Sequence, residues 1–194
     1  VARPRTTSDE AVLAAAGRAL GRVGLTRLTL GAVAEEAGLA PATLVQRFGS
    51  KRGLLLALAG RGAHDARKPF EHARREGGTP LTILHAALAA LTAGVRSPEQ
   101  MANNLGFLQL DMTDPEFRAH AASHARATAE EVAALLREAV AVGELVPEVD
   151  AGGLARSVQL AYNGALILWA VAGEGDLVDA LRADVDAVLA PYRL

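Results

Sequence analysis

Ala42, Thr43, Gln46 and Arg47 fall within two turns of one short segment, and three of the four carry groups that can bond a base edge or a phosphate. A guanidinium can pair with a guanine edge or a phosphate, a glutamine amide can read adenine, and a threonine can bond phosphate or touch a thymine methyl. They could act together only if held on one exposed face. The stretch TLGAVAEEAGLAPATLVQRFGSK, residues 29–51, supplies the means. Leu30, Val33, Ala34 and Ala37 have the three- and four-residue spacing of an amphipathic helix. Thr29 can cap that helix, and Gly38, without a Cβ, suits a left-handed exit. Pro41 fits a first helical position, while Leu44 and Phe48, one turn apart, face a core. Two short helices around a glycine turn form a helix-turn-helix, whose second helix can enter the DNA major groove. The alternative is a plain helical hairpin.

Other groupings could also carry chemistry. His120 and His124 are one helical turn apart, a spacing that can chelate a metal, but no Glu follows His120 as a metalloprotease motif requires and no third ligand is evident. No Walker loop, nucleophile elbow or dinucleotide fingerprint occurs, so neither an enzyme nor a cofactor nor a metal site is expected. A ligand pocket fits better. Leu81, Leu84, Leu88 and Leu91 form an apolar stripe with His85 at its edge, and Met101, Leu105, Leu108 and Met112 form another with Asn104 beside it. Isolated polar groups in an apolar wall can orient a ligand. Each could equally be a core residue satisfied by a backbone carbonyl.

The elements that would position these groups are all helical, since nothing alternates with a period of two. Nine helices and no sheet are expected. Ser8, Asp9 and Glu10 start the first, which ends at Gly24; Ser50 caps a fourth that runs from Lys51 to about Arg75 as a continuous rod. Thr79–Pro80 opens a fifth helix to about Val95, and the box Ser97–Pro98–Glu99–Gln100 opens a sixth to about Leu110. Thr113–Asp114–Pro115–Glu116 opens a seventh that stops at Gly143. Asp150 opens the eighth and Asp176 the ninth, which Pro191 ends.

The segment from Glu10 to Ala59 resembles the N-terminal domain of the TetR family of bacterial transcriptional regulators. The residues that carry the resemblance are Ala14–Ala15, Gly24, Leu28–Thr29, Val33–Ala34, Ala37–Gly38–Leu39, Thr43–Leu44, Phe48, Ser50–Lys51 and Leu54. It implies phosphate contacts from Thr29, Thr43 and Lys51, with Gln46 and Arg47 in or beside the groove. Val45 stands where the family usually has Tyr, and Ala40 and Ala42 where Ser and Gly often flank the proline. Those departures imply a weaker half-site contact or an unusual operator. Weaker likeness continues in DPEFR, Gly143–Glu144–Leu145 and Asn163–Gly164–Ala165–Leu166. Because TetR-like proteins bind small effectors in their C-terminal part, Phe70, His85, Asn104, Phe107, Phe117, Tyr162 and Asn163 are the candidate ligand contacts.

Charge is distributed as that reading requires. The 194-residue chain has a net charge of −2, yet residues 1–56 hold eight basic groups against four acids, and the remainder twelve against eighteen. A basic DNA-binding head of residues 1–56 on an acidic effector-binding and dimerisation body of residues 57–194 would show this asymmetry, as a solvated surface also could. Val1–Thr7 reads as a basic arm able to reach a phosphate or the minor groove. The absence of cysteine, of a membrane-length apolar run and of a signal-peptide core in Val1–Glu10 leads to the expectation of a cytoplasmic protein.

Small residues at Ser157, Ala161, Gly164 and Ala172, with Leu168, make a stripe that another helix could approach closely. Leu177, Leu181, Val185 and Val188 add an apolar face on the next helix. Pairing both stripes across a two-fold axis gives a homodimer with interface residues Ala161, Gly164, Leu168, Leu181 and Val185; packing within one subunit is the alternative. The expected function is a ligand-responsive transcriptional repressor that leaves double-stranded operator DNA when a small effector binds. A helical sensor or carrier with little DNA affinity is the rival.

Overall fold

The computed structural model describes residues 7–194; the arm expected at Val1–Thr7 therefore lies, apart from Thr7, outside them. Among the described residues there is no strand, only one bridge between Leu145 and Arg193. The all-α architecture of nine helical limbs is present. Two limbs are broken, so the helices number α1 to α11: α1 (Asp9–Arg27), α2 (Leu30–Ala37), α3 (Pro41–Phe48), α4 (Lys51–Asp65), α5 (Lys68–Glu76), α6 (Pro80–Ala90), α7 (Pro98–Leu105), α8 (Phe107–Thr113), α9 (Pro115–Ala141), α10 (Ala151–Ala172) and α11 (Leu177–Leu189).

Local chemistry explains the boundaries. Side chains of Ser8, Thr29, Thr79, Asp150 and Asp176 each accept a backbone N–H in the first turn of the helix they precede. Gly24, at φ 74°, kinks α1 where an end at Gly24 was expected, and a last turn follows to Arg27. The rod expected from Lys51 to Arg75 is interrupted after Asp65. Pro69 has no N–H to donate to the Asp65 carbonyl four residues back, so α4 stops there and α5 restarts. The sixth limb breaks at Gly106 into α7 and α8, and α6 ends at Ala90, earlier than the expected Val95.

The chain divides into two compact units, one of residues up to Ala63 with Ala102–Ala121, the other of His64–Met101 with Ala122–Leu194. The boundary expected at residue 56 thus moves to residue 63, and the head gains a distant segment. The reason is packing. Phe117 is buried in the head core with Val12, Leu20, Leu28, Val33, Leu44, Leu54 and Leu55, and Phe107 and Leu110 lie against them. The phenyl rings of Phe107 and Phe117 meet edge to face at 5.8 Å. Asn103 Nδ2 donates to the Gly21 carbonyl at 2.9 Å, and Arg52 pairs with Asp114 and Glu116 while its guanidinium sits over Phe117.

The second unit buries Phe70, Leu84, Leu135, Leu136, Leu145, Val158 and Leu189. Arg67 pairs with Glu130 and Glu131, and Arg74 with Glu138 at 2.7 Å, joining α5 to α9. Val146 N donates to Tyr192 O at 2.8 Å, tying the end of the chain to the α9–α10 turn. No helix among the described residues is long and apolar enough to cross a membrane.

Candidate nucleic-acid interface

The site is built on a turn that needs a glycine. Gly38 adopts φ 66° and ψ 36°, and its N–H and that of Leu39 close the C-terminus of α2 on Glu35 and Ala34. α3 follows two residues later with Pro41 at its start and Leu44 fully buried, which fixes its rotation about its axis. That rotation turns Ala42, Val45 and Gln46 outward, with Val45 49% exposed and Thr43 partly covered.

A carboxylate fork holds α2 against α1. Glu36 accepts from Arg18 Nε and from Arg22, both at 2.9 Å. The Arg18 hydrogen bond above all, with the charges of both arginines, holds the Glu36 carboxyl below its ordinary pKa, although burial works the other way. A carboxyl depressed in the folded state contributes stability above the ordinary glutamate pKa of roughly 4.3 and loses it as the pH falls through the folded value. Glu36→Gln is therefore expected to lower the melting temperature at pH 7 and to change little at pH 3. Equal losses in melts at both pH values would make packing, not charge, the cause.

Two of the expected DNA contacts are occupied within the head. Arg47 is only 21% exposed; it donates to the Thr7 carbonyl at 2.6 Å and lies 3.4 Å from the Asp9 carboxylate. Lys51 Nζ donates to the Leu25 carbonyl at 2.6 Å. Thr29 is exposed, with its hydroxyl used as the α2 cap from Ala32 N at 3.1 Å. The residues sequence reasoning undervalued are Thr7 and Asp9, which engage Arg47 from far back in the chain, and Gly53. A Cβ built on Gly53 would stand 2.1 Å from the Phe48 carbonyl oxygen, so α4 can leave α3 so closely only because that residue is glycine.

The seven candidate ligand contacts are divided between the two units. Asn104, Phe107 and Phe117 belong to the first unit, where Phe117 is core; Phe70, His85, Tyr162 and Asn163 belong to the second. Phe70 is fully buried, Asn163 is exposed, and burial raises the Tyr162 phenol above its ordinary pKa. His85 lines a cavity of about 530 Å³ with Thr82, Glu144, Arg182 and Arg193, and bonds Asp186 at 3.1 Å. Its imidazole pKa is lowered, first by burial and then by Arg182 and Arg193, against the pull of Asp186. A second cavity of about 650 Å³ is lined by Ala86, Ala89, Ala90, Ala93, Val95 and Trp169, with His72, Glu76, Thr92, Arg96 and Asp176 as its polar groups. No sequence motif marked it, because alanines make room without announcing a function.

The interface residues also need correction. Leu181 and Val185 are 3% and 1% exposed in the single chain, because α11 packs that face against α6 and α10. They are core. On α10 the stripe stands open and is wider than its small residues suggested: Leu160, Ile167, Leu168 and Val171 join Ala161 and Gly164 on one exposed face, with Leu168 67% and Val171 82% exposed. His120 lies against Gly60, and among the described residues no three His, Asp or Glu side chains group as a metal site would.

A family model described as bacterial regulatory proteins, tetR family, matches residues 12–58, from within α1 to the middle of α4. No curated protein matches the chain. Among solved structures, a TetR transcription regulator from Haloarcula marismortui superposes with a TM-score of 0.79 at 17% identity, over 96% of this chain and 98% of its own. The regulatory protein TetR from Rhodobacter sphaeroides gives 0.77 at 20% identity, over 96% and 100%. FadR from Bacillus subtilis, solved in complex with stearoyl-CoA, gives 0.71 at 17%, over 93% and 97%. The helix-turn-helix at residues 12–58 is thus that of the tetR family of bacterial regulatory proteins, and the chain has the fold of TetR-family regulators over nearly its whole length.

Proposed function

We propose that the protein is a dimeric transcriptional repressor that binds operator DNA through α3 and is released by a small-molecule effector. The observation that carries this reading is the buried Leu44 anchor, which leaves the outer face of α3 free to enter a groove. The open apolar face of α10 supports the dimer, since a contiguous exposed patch of this kind marks an interaction surface. The cavity that Trp169 lines supports an effector, being within the size range of small-molecule pockets. FadR was solved with an acyl-CoA, and an apolar effector likewise suits the alanine-lined wall here. Release requires that the effector bind the DNA-free conformation more tightly, so operator DNA must weaken effector binding by the same factor.

Selection of bound duplexes from random DNA tests the reading, followed by titration at several salt concentrations. On this account Lys51 leaves the Leu25 carbonyl for a phosphate. Lys51→Ala is expected to weaken all duplexes alike and to reduce the slope of log affinity against log salt by about one. An unchanged slope with a lowered melting temperature would make Lys51 a strut of the head.

A further inference from the structure

The outward face of α3 is poor in hydrogen-bonding groups. Ala42, Val45 and Gln46 are neighbours there at three- and four-residue spacing, and all three are exposed. Arg47, the one cation of the helix, is turned to the Thr7 carbonyl and the Asp9 carboxylate. The face therefore offers methyl groups and one amide, with the half-covered Thr43 hydroxyl at its flank.

In the major groove a guanine presents two acceptors, a cytosine a donor and an adenine one of each, and an aliphatic side chain satisfies none of them. The C5-methyl of thymine is the apolar group on these edges. We propose that Ala42 and Val45 form a seat for thymine methyl groups and that Gln46 pairs with adenine N6 and N7 beside it. The half-site is then read as A·T sequence, without an arginine–guanine contact. This rests on the reading of α3 as the helix that enters the groove. It assigns a positive role to Val45, beyond the loss of an aromatic phosphate contact. It also makes Arg47 a positioning residue that holds the chain ahead of α1.

The test uses the 194-residue chain and the duplexes it enriches from random DNA. Each thymine is replaced in turn by deoxyuridine, which keeps every hydrogen-bonding group and lacks only the methyl. Loss of about fourfold in affinity is expected for each buried methyl, at one or two positions per half-site. Val45→Ala should abolish the discrimination at one of them and leave the others, with the melting curve unchanged because the side chain is exposed. Replacing the paired adenine by 7-deazaadenine should cost about tenfold in the wild type and little in Gln46→Ala. Arg47→Ala should lower affinity without relaxing the preference at any base pair. Indifference to deoxyuridine at every position, uracil discrimination that Val45→Ala leaves undiminished at every position, or a guanine preference lost in Arg47→Ala would each overturn the inference while leaving DNA binding intact. Failure to enrich any duplex would overturn the regulator reading itself, and this inference with it.

Discussion

Gly164→Arg is expected to run as a folded monomer and to bind operator DNA at least about a hundredfold more weakly than the wild type. A Cβ at Gly164 would meet nothing within 4 Å in the single chain, and the residue lies on the open face of α10, so a longer side chain can extend away from the subunit's own core. In a dimer paired along α10 the same position sits in a seam with Ala161, Leu168 and Val171 from each copy. An unpaired guanidinium buried there costs several kcal/mol, enough to dissociate the pair. The loss of DNA affinity then follows from arithmetic, because two heads on one scaffold bind with an effective concentration that a single head lacks. Sedimentation velocity and a melting curve separate the outcomes. A variant that stays dimeric with full operator affinity would remove α10 from the interface.

Gly53→Ala should do the opposite, keeping the dimer and damaging the head. Its Cβ would fall 2.1 Å from the Phe48 carbonyl oxygen, and since that atom is backbone, no rotamer change relieves the contact. α4 must move away from α3, at a cost of about 3 kcal/mol or more by the measure of overpacked cores. For a unit of this size that lowers its melting temperature by about 10 °C or more and blurs the placement of α3. Gly17→Ala in α1 is the control, because its Cβ would meet nothing within 4 Å and a helical alanine gains up to about 1 kcal/mol over glycine. If Gly53→Ala melts as the wild type does, the close exit of α4 is not a constraint on the fold.

The contrast between these glycines shows what the sequence makes legible. Caps at Ser8, Thr29, Asp150 and Asp176 act within three residues, so type and spacing were enough to place the helix starts. The turn at Gly38 and the rotation of α3 set by Leu44 are equally local. What distant residues decide was hidden. The periodicity of Leu177, Leu181 and Val185 identifies an apolar face but not its neighbour, which is the same chain and not a partner. Nothing near Phe117 says that it belongs to the head, because its companions are drawn from α1, α2, α3 and α4. Arg47 reads as a base contact by type, yet Thr7 and Asp9 hold it through a contact made only on folding. The break before α5 was legible and missed: Pro69 marks it through the donor it lacks at Asp65.

The central claim is that α3 reads DNA. Its most direct measurement is fluorescence anisotropy of an enriched duplex against a scrambled one, titrated with the wild-type protein over a range of salt. The account predicts discrimination of at least about a thousandfold, with the logarithm of each affinity falling linearly in log salt. Equal binding to both duplexes, or binding independent of salt, would contradict it.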